Sequence, residues 1–165
     1  MRATITALRD CGDHIDGFLG QLALWHHQEW LHLNHGATFE QRLARYQQSL
    51  VTDALPEIFI AHNDAQLLGS VSLEKIDMDT RKFLTPWLAS LYVEPANREQ
   101  GIASKLIEYV VSYAEQQCYK NLYLFTEDQT DFYQHRGWHF VEMVNYRQAD
   151  VDLMCRKLEG NDDVR

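Results

Sequence analysis

The stretch that decides the fold runs Trp87-Leu-Ala-Ser-Leu-Tyr-Val93, then Glu-Pro-Ala-Asn, then Arg98-Glu-Gln-Gly-Ile-Ala103. Its first seven residues read as a strand bounded by Pro86 and Pro95. After Gly101 a helix is expected, because Ile102, Leu106, Tyr109, Val110 and Tyr113 share one face at i, i+4, i+7, i+8 and i+11. A helix start of this kind favours an anion. Its first N–H groups lack intrahelical partners and sit at the positive end of the dipole. Gly101 permits close approach to the backbone. Ala103 and Ser104 are small, and Arg98 offers a planar donor suited to phosphate. The reading is a diphosphate cradle. It lacks the G-x-x-x-x-G-K-[ST] pattern of a P-loop and the G-x-G-x-x-G pattern of a dinucleotide site. Phosphates held without a metal motif suggest a cofactor kept for its far end, not phosphoryl transfer.

Working outward, Thr4–Leu8 reads as a first strand and Asp13 as the N-cap of a helix running toward Leu33, ended by His35-Gly36. Thr38 and Gln41 form a capping box that opens a second helix to about Leu50. Ile58–Ala61 and Leu67–Ile76 form a hairpin around Asn63-Asp64, and Met78–Thr85 is loop. Asn121–Thr126 is a further strand. A short helix over Asp131–Arg136 stops at Gly137, and Trp138–Val144 pairs with Val151–Leu158. Strands and helices mix without a strict βαβα repeat, which predicts a mixed α/β (α+β) layer, largely antiparallel in its first half. One domain over 1–158 and a polar tail over 159–165 are expected.

Composition narrows the function classes. Fifteen Lys and Arg against 24 Asp and Glu give a formal charge of −9. That charge disfavours nucleic acid and would attract a cationic substrate such as an amine. Cys11, Cys118 and Cys155 are odd in number and far apart, as in a reducing compartment. Met1–Asp13 has no apolar signal core, and no stretch has the apolar length of a membrane span. A cytoplasmic protein without membrane partners is the expectation.

Arg98-x-x-Gly101-x-Ala103 after a strand resembles the acetyl-CoA pyrophosphate loop of the GNAT (GCN5-related) N-acetyltransferase superfamily, [QR]-x-x-G-x-[GA]. The segment from Thr126 through Tyr133 to Gly137-Trp138 resembles that family's strand-to-helix block. Glu99, Gln100 and Thr126 depart from common choices there, and Glu99 and Gln100 make the cradle less basic than usual. The resemblance implies a central sheet flanked by helices and splayed between its fourth and fifth strands. It also implies direct acetyl transfer from acetyl-CoA to a primary amine of a small acceptor, with no metal. A homodimer is admitted, and the alternative is a non-catalytic acyl-CoA sensor or structural module.

By the same resemblance Leu91, Tyr92 and Val93 would pair with the pantetheine arm, and a backbone N–H near Val93 would hold the developing oxyanion. Arg98, Glu99, Gln100, Gly101, Ile102, Ala103, Ser104 and Thr126 complete the cofactor set. Tyr133 is the candidate general acid, because a phenol stays protonated at neutral pH; it also reads as a core side chain packed beside Phe132. Glu74 and Asp77 are candidate bases near the acceptor side, with Glu29 or a water chain as other routes. Trp25, Glu29, Trp30 and Trp87 are candidate acceptor contacts, alongside His26, His27, His32 and His35; Trp87 reads equally as core. The same helix also reads as one with its apolar side in the core and its histidines in water.

Overall fold

A computed structural model describes residues 2–64 and 66–160. The polar tail expected over 159–165 therefore lies, from residue 161 on, outside the described residues. Seven strands form one sheet: β1 (Thr4–Ala7), β2 (Glu57–Asn63), β3 (Gln66–Glu74), β4 (Trp87–Val93), β5 (Asn121–Thr126), β6 (His139–Tyr146) and β7 (Ala149–Lys157). Their spatial order is β1-β2-β3-β4-β5-β7-β6. Every neighbouring pair is antiparallel except β4 with β5. The helices are α1 (Ile15–Trp30), α2 (Phe39–Ser49), α3 (Ile102–Gln116) and α4 (Thr130–Gln134).

The helices cover both sheet faces, so β2 and β3 are buried runs and not alternating ones. Phe59 and Ala61 pack toward α3 with Leu106, Ile107 and Val110. Ile58 and Ile60 pack toward α1 and α2 with Phe18, Leu19, Leu22 and Tyr46. Successive side chains on one strand point to opposite faces, and each face has its own core. The buried stripe of α3 includes Ile107, Val111 and Ala114. Tyr109, expected on that stripe, lies at its edge, 40% exposed, with its ring 5.2 Å from that of Phe59.

Two local expectations meet their geometry. Thr38 Oγ1 accepts from Gln41 N–H at 3.1 Å, and Gln41 Oε1 accepts from Thr38 N–H at 3.0 Å. This reciprocal box starts α2. Asp64, in the β2–β3 turn, takes a φ of +43°, a conformation that Asp tolerates better than most residues.

Several boundaries differ by a residue or two, and three of them have a local reason. Asp13 does not cap α1. It sits in a 3-10 turn over Gly12–His14, and His14 precedes the helix without a side-chain cap. α1 stops at Trp30, and a 3-10 turn over Leu31–Leu33 continues it. β6 runs to Tyr146, two residues past its expected end, paired with β7 through Tyr146 and Ala149; the connecting turn carries no Gly or Asn to mark it in the sequence. Arg147 and Gln148 both take positive φ, 50° and 68°, as a two-residue hairpin turn of matching twist requires. The Arg147 guanidinium anchors that turn by donating to Leu33 O at 3.3 Å and to Asn34 Oδ1 at 2.5 Å.

Candidate active site

The site begins where β4 and β5 part. They register only at Trp87 with Tyr123, where Tyr123 N–H donates to Pro86 O at 3.1 Å. On its other side β4 stays paired with β3 through to Val93. The β5-facing backbone of residues 88–93 is therefore left without a partner strand, as the splay expected from the sequence requires. A bulge opposite Ser70–Ser72 puts Ser90 at a φ of +53° and re-aims this edge. Gly69 makes the bulge possible, because a Cβ there would stand 2.7 Å from Tyr92 O.

At the C-terminal end of β4 the chain turns through Pro95–Asn97 to the start of α3. Gly101 holds a φ of +78° and immediately precedes the helix, which has no side-chain cap. The first helical hydrogen bond there is Lys105 N–H to Gly101 O at 3.1 Å. The amides of Ile102, Ala103 and Ser104 are thus open to an anion. A Cβ at Gly101 would meet open space, so the glycine answers the backbone angle and not crowding. Arg98 folds back: its Nε donates to Val93 O at 2.9 Å, and its guanidinium lies 5.7 Å from the Tyr92 ring centroid. It ties the loop to β4 with its terminal nitrogens left over. Arg136, not singled out from sequence, donates to Ser104 Oγ at 3.1 Å and Phe132 O at 2.8 Å. A second guanidinium therefore stands at the first turn of α3.

The splay opens into a cleft of about 570 Å³. It brings together Glu29, Trp30, Glu74, Asp77, Leu91, Thr126 and Tyr133 from the sequence candidates. Arg98–Ser104 lie outside it, at the loop between β4 and α3. Tyr92 also lies outside, its ring 5.1 Å from that of Trp25, and Val93 is core. Trp87, expected as an acceptor wall, is fully buried beside Met78 and Tyr146, with Nε1–H donating to Leu84 O at 2.7 Å. Its role is packing, as the indole fills the space under the one point where β4 and β5 meet.

Tyr133 is 8% exposed, with burial raising its phenol further above the ordinary value and Arg136 opposing that only in part. It is protonated throughout the neutral range. Thr126 Oγ1 accepts from Gln129 N–H at 3.0 Å and shapes the turn into α4 that carries Tyr133. Across the cleft, burial pushes Asp77 up to about 7, the neighbouring Glu74 charge adds to the rise, and Arg45 and Arg147 oppose it. Burial also raises Glu74, against Arg45 and a hydrogen bond from Ser72. A protonated phenol and a carboxyl that titrates near neutrality thus share one cleft.

Behind the cleft runs a polarised chain of hydrogen bonds. Arg42 donates to Tyr46 Oη at 3.2 Å, and that hydroxyl then has its proton free for His26 Nδ1 at 2.6 Å. His26 Nε2–H donates to Ser70 Oγ at 2.8 Å, which donates to Ser90 O at 3.4 Å. His26 is 2% exposed, and burial first, then Arg42 and Arg45, pull it down to about 3. It is a neutral strut between α1, α2 and the bulge, not a solvated or ligating histidine. At the mouth His32 Nε2 and Glu127 Oε1 meet at 2.7 Å, joining the end of α1 to the loop after β5. Among the described residues no three His, Cys, Asp or Glu are grouped to hold a metal ion, and no helix is long and apolar enough to cross a membrane.

A family model described as "Acetyltransferase (GNAT) domain" matches residues 55–140, more than half of the chain. No curated protein sequence matches. Among solved structures, the chain is similar to a spermidine N-acetyltransferase from Vibrio cholerae in complex with CoA and spermine. The TM-score is 0.67 at 19% identity, covering 94% of this chain and 95% of that one. An aminoglycoside 6'-N-acetyltransferase complexed with coenzyme A gives 0.72 at 14% identity, covering 97% and 99%. An N-acetyltransferase from Staphylococcus aureus Mu50 gives 0.68 at 16% identity, covering 96% and 99%. At such identities these likenesses speak to the fold.

Proposed function

The chain belongs to the GNAT acetyltransferase family and is an acetyl-CoA-dependent N-acyltransferase, and from that premise we propose how its own residues divide the work on a small primary-amine acceptor. Acetyl-CoA supplies the thioester. The open amides of Ile102–Ser104, with the spare nitrogens of Arg98 and Arg136, bind its diphosphate. The unpaired edge of Leu91–Val93 takes the extended pantetheine arm as a strand takes a partner, and an N–H of that edge meets the developing oxyanion. Asp77, near neutrality, accepts the proton of the incoming ammonium, with Glu74 beside it. Tyr133 lends its proton to the departing sulfur as the carbon–sulfur bond breaks and recovers one from the amine nitrogen, so the nitrogen's second proton ends on the thiol and no phenolate is left.

One observation carries this reading: Tyr133 and Asp77 line the same cleft at the unpaired edge of β4. Spermidine and aminoglycoside acetyltransferases share the fold, which supports an amine as acceptor. A panel of primary amines with acetyl-CoA, read by release of free thiol, is the test. Amine-dependent thiol release is expected. Tight CoA binding by calorimetry without release to any amine would overturn the reading.

A further inference from the structure

Two arginines of α2, Arg42 and Arg45, line the cleft that holds Glu74 and Asp77. Neither makes an ion pair within 4.0 Å among the described residues, in a chain with 24 acids to 15 bases. Arg42 spends one nitrogen on Tyr46, and its Nε is buried without a hydrogen-bond partner. The Arg45 guanidinium lies 5.6 Å from the Tyr46 ring centroid and makes no hydrogen bond among the described residues. The third arginine of the cleft, Arg147, is committed to Leu33, Asn34 and Asp79.

We infer that the acceptor is dipolar, an amino acid whose carboxylate lies against Arg42 and Arg45 while its amine faces Glu74 and Asp77. The inference rests on the amine-transfer reading above and narrows its substrate class. A planar guanidinium fork matches a carboxylate, and two forks at i and i+3 on one helix share a face. A simple diamine or polyamine would leave both guanidiniums facing a cation. A phosphate, with its second charge, would fit poorly beside Glu29, Glu74, Asp77 and Asp79, which line the same cleft. The acids that give the site its negative character hold the amine, and the arginines set which amines enter.

The experiment pairs each amino acid with the amine left when its carboxylate is removed: histidine with histamine, tyrosine with tyramine, lysine with cadaverine, arginine with agmatine. For the preferred pair, kcat/KM for the amino acid should exceed that for the amine by about 10- to 100-fold, as hydrogen bonds to a charged group imply. Arg45 is the residue to change, because it is exposed and holds no hydrogen bond that the fold needs. In Arg45→Ala that preference ratio should fall about tenfold or more, and Arg45→Lys should restore part of it, a response that loss of packing alone would not give. Amines turned over as well as or better than their amino acids, or a ratio unmoved by Arg45→Ala, would overturn the inference while leaving amine transfer standing. Failure of every compound to release thiol would instead fall on the amine-transfer reading, and on this inference with it.

Discussion

Asp77→Asn separates catalysis from stability in a single variant. The Asp77 carboxyl is raised from 3.8 to about 7, by burial first and by Glu74 second. In the wild type only about a tenth of it is ionised at pH 6, so a rate that needs the carboxylate should fall about tenfold per unit below neutrality. Asp77→Asn should lose that acidic limb and lower kcat/KM by about 10²- to 10⁴-fold. The stability consequence has the opposite sign. An acid whose folded value lies above its unfolded one binds its proton more tightly when folded. Its ionisation therefore destabilises the fold progressively between about pH 4 and pH 7, fully above that, and not at all below. The rise of about three units sets an upper bound of roughly 4 kcal/mol at 1.4 kcal/mol per unit. The side chain keeps some contact with water, so a gain of about 1–2 kcal/mol is the working figure. Asp77→Asn should thus be more stable than wild type at pH 8 and equal to it at pH 4, read by urea unfolding at each pH. Glu74→Gln, removing the charge that raises Asp77, should move the acidic limb to lower pH. An unchanged limb in Asp77→Asn together with no stabilisation at pH 8 would refute the reasoning.

Three further outcomes follow from the geometry. Tyr133→Phe should lower kcat by about 10²-fold or more while calorimetry gives an unchanged acetyl-CoA Kd, since it removes only the donated proton. Gly101→Ala has space for its methyl but must hold a φ of +78°. It should cost about 1–2 kcal/mol of stability and weaken CoA binding, read by thermal melting with and without CoA. Ser70→Ala leaves His26 Nε2–H buried without an acceptor and should cost about 1–3 kcal/mol in urea unfolding.

The strand–loop–helix geometry was legible because it is local. Arg98, Gly101 and Ala103 lie within six residues of one another, and a helix start exposes its amides wherever it occurs. The capping box at Thr38 and Gln41 was legible for the same reason. Asp13 misled because a good capping residue was spent in a 3-10 turn one step too early. Trp87 misled because an aromatic beside a motif reads equally as wall or core, and only the packing of Met78, Tyr146 and Leu153 around it decides. Arg147 gave no signal at all. Its turn has unfavourable residues, and it is held by contacts to Asn34 and Asp79, far away in the chain.

The sequence by itself determined the strand–loop–helix cradle, the family, and the placement of Tyr133 after β5, since each depends on spacing along a short stretch. The tertiary structure alone decided how the groups of the cleft opposite Tyr133 come together. Asp77 became a group that titrates near neutrality through burial and the nearby charges of Glu74, Arg45 and Arg147. Arg42 and Arg45 came to face it from a helix about thirty residues earlier in the chain. Charge and desolvation act through space, and folding sets those distances; spacing along the chain sets only which backbone groups a helix start leaves free.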